Sequence, residues 1–222
     1  MGHLAVGHGV YGALLSPQGK ILHDLFVYHA EFEVLIDCAL PQRADLLQKL
    51  QMYKLRAKFE IKPRDDLEIA VGEVGYVDPR NANMGHRQFA PKGTYEIGEG
   101  YDAARISMGL ADSVADLGSN IFFPHEANFD RIGGVSFSKG CFVGQEVVSR
   151  MQHRGTARAR IMRIEALTVA PVKGTEIRSG EVLVGEVLSS VGAQALAFIK
   201  QDRLAEATAP LLADNIPIQV LI

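Results

Sequence analysis

From Thr156 onward the chain keeps one texture to its end: "ARARIMRIEAL", "TEIRSG", "VLVGEVLSS", "AQALAFIKQDRL" and "IPIQVLI" are short apolar runs separated by glycine or proline. Even spacing, β-branched residues and turn punctuation are the pattern of a small antiparallel barrel or sandwich. Residues 156–222 are therefore expected to form a C-terminal β-barrel, with a domain boundary near Gly155.

The preceding 1–155 reads differently. "GALLSPQGKILHDLFVYHA" is a hairpin, two apolar runs flanking the turn chemistry of Ser16-Pro17-Gln18-Gly19. "FEVLIDCAL" supplies another strand, with Cys38 expected in the core as a small apolar residue. Pro41 opens a helix, "PQRADLLQKLQMYKLRAKF", whose Leu46, Leu47 and Leu50 recur at helical period. Strand–turn–strand–strand–helix implies an α+β body rather than a doubly wound parallel sheet. "LEIAVGEVGYVDPR" adds a strand or two and runs into a polar loop where Arg80, His86 and Arg87 are expected in solvent. "YDAARISMGLADSVADLG" gives a short helix ending near Gly109, "VSF" (135–137) a short strand, and "QEVVSRMQH" a helix ended by Gly155.

Composition excludes several classes. At 222 residues and 47% hydrophobic the chain can bury a substantial core. A formal charge of −3 argues against a protein that coats nucleic acid. Two distant cysteines make neither a metal knuckle nor a disulfide scaffold, and supply too few thiolates to hold an iron–sulphur cluster alone. With no run of about 18 apolar residues and no secretory pattern at the start, no membrane contact is expected and the expected compartment is the cytoplasm. No metal site is expected.

One stretch concentrates reactive chemistry: "KGCFVGQE", Lys139 to Glu146. Lys139 places positive charge two residues from Cys141, and a helix beginning near Gly144 aims its N-terminal amides back at the sulphur. Gly140 and Gly144 let the backbone bend and a ligand approach. Glu146 opposes the effect if its carboxylate points at the thiol. The alternative is a buried, inert cysteine. "RMQHRGTARARIMR" follows with Arg150, Arg154, Arg158, Arg160 and Arg163 and no acid among them. That run reads either as a solvated strand face or as a site for a small polyanion; tRNA contact is weakly supported because no aromatics are interleaved. Glu126, in "FFPHEANFD", is either a turn acid or a half-buried carboxylate suited to an amino group beside a ring N–H.

Taken in order, these pieces resemble the YgfZ-type folate-binding proteins, relatives of the glycine-cleavage T-protein (GcvT, aminomethyltransferase) with a mitochondrial branch that assists iron–sulphur cluster assembly. The K-G-C-[FY]-x-G-Q-E motif matches at every position from Lys139 through Gly140, Gln145 and Glu146, and weaker likeness runs from "GVYGALLSPQGKIL" to the C-terminus. The resemblance implies a folate-binding α+β body lacking the family's first strand and helix, followed by the barrel. It implies tetrahydrofolate or a one-carbon derivative as cofactor, with Glu126 on the pterin and Arg150 and Arg154 among candidates for the folate's glutamate tail. Cys141 falls on the family's functional cysteine, with Lys139 as its electrostatic support. The implied role is assembly or maintenance of iron–sulphur clusters in client enzymes, including tRNA-modifying ones, alongside client or assembly proteins. The alternative is a folate-dependent aminomethyltransferase-like C1-transferase built on Asp24. The T-protein segment G-G-h-h-D-D (h apolar) appears here as "GKILHD", keeping Asp24 but with Lys20 and His23 at two other positions.

Overall fold

A computed structural model describes residues 4–96, 98–153 and 157–221. Strands β1 (Gly9–Leu15), β2 (Ile21–His29) and β3 (Val34–Asp37) form an antiparallel sheet in chain order. The Ser16–Gly19 turn closes as expected, the Gly19 amide donating to the Ser16 carbonyl at 2.8 Å. Register pairs Tyr11 with Phe26 and Tyr28 with Leu35, so one face carries Tyr11, Asp24, Phe26 and Tyr28 into the core. His23 takes the opposite face. It is buried against α1 (Arg43–Lys54), its Nε2 sitting 2.6 Å from Asp45 Oδ2. Alternation along β2 thus sends His23 and Asp24 to different neighbours.

The helix expected after Pro41 begins as a 3₁₀ turn (Leu40–Gln42) and continues as α1, burying Leu46. Strands β4 (Leu67–Gly72), β5 (Tyr76–Val77) and β6 (His86–Pro91) make a second sheet, ordered β4-β6-β5. Helix α2 (Tyr101–Ser107) and a π-turn (Ser113–Leu117) are joined by a buried ion pair, Arg105 Nη1 to Asp116 Oδ2 at 2.6 Å. Helix α3 (Gln145–His153) lies where its composition puts it, with Val148 buried. The strand expected at 135–137 does not form: Gly134 and Val135 donate back to the Phe129 carbonyl, closing turns that leave no free edge to pair.

The C-terminal segment closes into an antiparallel barrel of β7 (Ala159–Ala166), β8 (Glu176–Ser179), β9 (Val182–Val191), β10 (Gln194–Lys200), β11 (Leu211–Ala213) and β12 (Ile216–Leu221), ordered β10-β7-β12-β11-β8-β9. A short helix, α4 (Gln201–Ala205), occupies the end of "AQALAFIKQDRL". Ile164, Ile177, Val184, Val187, Ala195, Ala197 and Ile199 fill the barrel. Ile161, Leu188 and Leu196 instead pack with Phe122, Ala127 and Phe129 of the body. Each fully buried side chain of this size contributes about 1.5–3 kcal/mol, which makes this shared cluster the main cement between the halves. The expected boundary at Gly155 lies outside the described residues. Among those described, no helix is long and apolar enough to cross a membrane.

Candidate functional site

The tip of the β1–β2 hairpin is the platform on which the motif rests. Gly144 has φ of +81° and approaches Gly19 so closely that an added Cβ would lie 2.7 Å from Gly19 Cα and 2.8 Å from the Ser16 carbonyl oxygen. Only glycine permits both the left-handed backbone and that contact. Gln145 fixes the other side of the bend, its Oε1 accepting from the Phe142 amide at 3.2 Å. The loop between carries Cys141 as an exposed free thiol. Gly140 differs from Gly144: its φ is not positive and a Cβ there would meet open space.

The charges arrange themselves differently from the expectation. Lys139 Nζ sits over the Phe142 ring, 4.7 Å from its centroid. Glu146 turns away along α3 to pair with Arg150 one turn on, at 2.5 Å. The arginine run does not assemble into one anion site. Arg150 is committed to Glu146, Arg160 is buried on Asp130 through two bonds of 2.9 and 2.8 Å, Arg163 donates to the Ser107 carbonyl, and Arg158 points outward. Arg154 lies outside the described residues. The acids missing from the local sequence arrive from Glu146 and Asp130, which no reading of the run alone reveals.

Glu126 is half-buried and belongs to the same neighbourhood. One carboxylate oxygen accepts from the Phe123 amide at 2.8 Å, closing a turn. Among the described residues the other has no hydrogen-bond partner. Burial pushes its pKa up, against the pull of the Phe123 amide and the positive charge of Lys20. Lys20 follows the hairpin turn, and its ammonium stands 5.6 Å from the centroid of the Phe123 ring. The hairpin tip therefore meets the thiol loop through Gly19 and the Glu126 turn through Lys20. Sequence reading noted Lys20 only as a departure from a motif.

Asp24 lies deeper on β2, buried, accepting from the Tyr11 hydroxyl at 2.8 Å. Burial raises its pKa, and hydrogen bonds from Ser113 and Tyr11 only partly oppose this. No hydrogen bond among the described residues joins it to Glu126 or the thiol loop. A carboxyl whose folded pKa exceeds its unfolded one binds extra protons in the window between them, so its stabilising contribution falls as pH rises through that window. Asp24→Asn is therefore expected to gain on the parent chain as pH is raised from about 4 upward, the unfolded carboxyl titrating near 3.9. Urea midpoints across that range check it; a gap constant with pH would contradict it.

Beneath Tyr11 and Phe26 lies a feature the sequence reading placed in solvent. Arg80 and Arg87 are buried, a correction to the expected polar loop. Arg80 grips Asp78 through bonds of 3.1 and 2.8 Å and reaches the Tyr101 hydroxyl, while Arg87 grips Asp37 through bonds of 2.9 and 2.5 Å. Both guanidinium groups cover the Phe26 ring, at 4.7 and 4.2 Å. They clasp the two body sheets together and brace Tyr11, which holds Asp24. Asp78-Pro79-Arg80 is a local signal that reveals half of the clasp; Arg87 and Asp37 are too far apart in sequence to pair by inspection. Cys38, half-buried beside Asp37, has its thiol pushed up to about 11 by burial and by that carboxylate. That state suits a packed thiol, not a reactive one.

Comparison with known proteins follows the same lines. Residues 158–222 match the family of CAF17 C-terminal beta-barrel domains. The chain is 33% identical over 202 residues to a Chaetomium globosum protein named "Iron-sulfur cluster assembly factor IBA57 homolog, mitochondrial", covering 72% of this chain and 46% of that one. The Homo sapiens "Iron-sulfur cluster assembly factor IBA57, mitochondrial" is 27% identical over 232 residues, 87% of this chain and 65% of the relative. The chain thus spans about half to two thirds of the length of these relatives. A crystal structure of glycine cleavage system aminomethyltransferase T from Bartonella henselae superposes with TM-score 0.71 at 14% identity, covering 99% of this chain and 76% of that one, which shows the fold. These relatives are named as mitochondrial, which overturns the cytoplasmic expectation. Free thiols and the lack of a secretory pattern fit any reducing compartment equally, so they never distinguished the two.

Proposed function

We propose that the chain is a GcvT-like protein of the IBA57/YgfZ type and that it acts in iron–sulphur cluster assembly, presenting Cys141 as its working thiol. The observation that carries this reading is the 33% identity to a protein named as an iron–sulfur cluster assembly factor. The geometry supports it: an exposed thiol stands on a loop pinned to the hairpin by a glycine–glycine contact. A thiol held out from the surface on a fixed base suits exchange with a partner's sulphur better than retention of a cluster within one chain. Cells stripped of their own relative and supplied with this chain are expected to recover iron–sulphur enzyme activity; absence of recovery at normal abundance counts against the role.

Tetrahydrofolate is the cofactor proposed for the body, and Glu126 is the residue that fits it. The uncommitted oxygen of this half-buried carboxylate would accept from a pterin amino group or ring N–H. When bound, a one-carbon-substituted tetrahydrofolate would supply a one-carbon unit, and tetrahydrofolate itself would accept one. Asp24 fits less well as a partner, because Tyr11 already takes one of its oxygens and burial covers the rest. That favours the accessory reading over the C1-transferase. Anaerobic titration of tetrahydrofolate is expected to show saturable binding, weakened at least about tenfold by Glu126→Ala, a loss of about 1.4 kcal/mol. Equal binding by both chains would remove Glu126 from the site. Iron–sulphur client or assembly proteins, tRNA-modifying enzymes among them, are the proposed partners.

A further inference from the structure

A polar cavity of about 270 Å³ opens between the 124–131 turn, the last turn of α3 and the start of β7, lined by His125, Asp130, Arg131, Met151, Gln152, Ala157 and Arg160. Neither Cys141 nor Glu126 borders it. Its floor is built rather than incidental, for His125 and Arg160 are 2% and 7% exposed. Arg160 Nη1 donates to the carbonyl of His125 at 2.6 Å, to Asn128 Oδ1 at 3.2 Å and to Asp130 Oδ1 at 2.9 Å, and Nη2 donates to Asp130 Oδ2 at 2.8 Å. Its Nε–H and second Nη2–H have no partner among the described residues. Gln152 Oε1 accepts from His125 Nε2 at 3.0 Å, which leaves the Gln152 amide protons free. His125 Nδ1 is buried and unpartnered.

The charge balance selects the ligand. Burial pushes the Asp130 carboxyl up, but the hydrogen bonds and charge of Arg160 prevail and hold it below the usual range, so it stays ionised and neutralises that arginine. The Arg131 side chain has no hydrogen bond or ion pair among the described residues, so its charge stands uncompensated at the rim. Spare donors outnumber spare acceptors, and the sum is one positive charge. The volume lies just under the roughly 300 Å³ at which drug-sized ligand pockets begin. We propose that this cavity is a binding site for a small oxyanion or carboxylate, held by Arg131, Arg160 and the Gln152 amide. The site lies one residue from Glu126, and the centroid of the His125 ring stands 5.9 Å from that of Phe137, two residues before Lys139 of the motif.

Inorganic phosphate and succinate, titrated separately at constant ionic strength, distinguish a mineral oxyanion from a carboxylate. The readout is the NMR shift of the Gln152 side-chain amide. Saturable shifts in the low-millimolar range or below are expected for at least one, with affinity falling about tenfold in Arg131→Gln. The Arg131 side chain has no partner among the described residues, so this variant is expected to keep the parent chain's amide spectrum elsewhere. Linear shifts for both anions, or saturation unchanged in Arg131→Gln, would overturn the site.

Discussion

Gly144→Ala is expected to destabilise the chain by about 3 kcal/mol and to displace the thiol loop. Two effects add. A non-glycine residue in the left-handed region costs roughly 1–2 kcal/mol, and forcing a methyl against Gly19 Cα at 2.7 Å and the Ser16 carbonyl at 2.8 Å adds an overpacking cost of about 1–3 kcal/mol. The obstruction is backbone on both sides, so no side-chain rotation relieves it. Gly140→Ala, immediately before the same thiol but with open space around its Cβ, is expected to stay within about 0.5 kcal/mol of the parent. Urea denaturation of the pair makes the comparison. Equal effects at the two glycines would show that the hairpin does not pin the motif.

Arg105→Ala is expected to cost about 3–5 kcal/mol, because removing one member of a buried ion pair strands the other. Arg105 is 1% exposed, and it binds Asp116 Oδ2 at 2.6 Å and the Leu110 carbonyl at 3.3 Å. Its further pairing with Asp102 matters little, since that carboxylate is open to water. Asp116 would keep only the Asp112 amide, and its other oxygen is already buried without a partner. The double change Arg105→Met with Asp116→Leu removes both charges and is expected to recover most of the loss. A double variant no more stable than Arg105→Ala would mean that the guanidinium acts through packing rather than charge.

What the sequence disclosed about this molecule was local. The hairpin was legible because Ser16-Pro17-Gln18-Gly19 states its own turn, and the barrel because five runs of β-rich sequence repeat between turn residues. The motif marked the exposed thiol, and helix α3 began where it was expected. What escaped depends on residues distant in the chain. Arg87 meets Asp37 across 50 positions and Arg160 meets Asp130 across 30, so both arginines look like free surface cations until the fold is known. The requirement for glycine at 144 arises from contact with the hairpin, 125 positions earlier in the chain, and nothing local separates it from the undemanding Gly140. Lys20 near Glu126 is of the same kind: a surface lysine in sequence, a neighbour of the candidate pterin carboxylate in the fold.

These tertiary contacts carry the functional argument, because they decide which of the motif's residues are held and which are free. Gly144 and Gln145 are held; Cys141 is free; Lys139 and Glu146 are occupied by Phe142 and Arg150. A chain shaped for presenting one thiol should tolerate loss of the sulphur structurally and fail functionally. The measurement is iron–sulphur enzyme activity in cells that lack their own relative and carry either this chain or its Cys141→Ala variant at matched abundance. The account predicts recovery with the parent chain and none with the variant, while the purified variant melts within a degree or two of the parent. Full recovery by Cys141→Ala would contradict it.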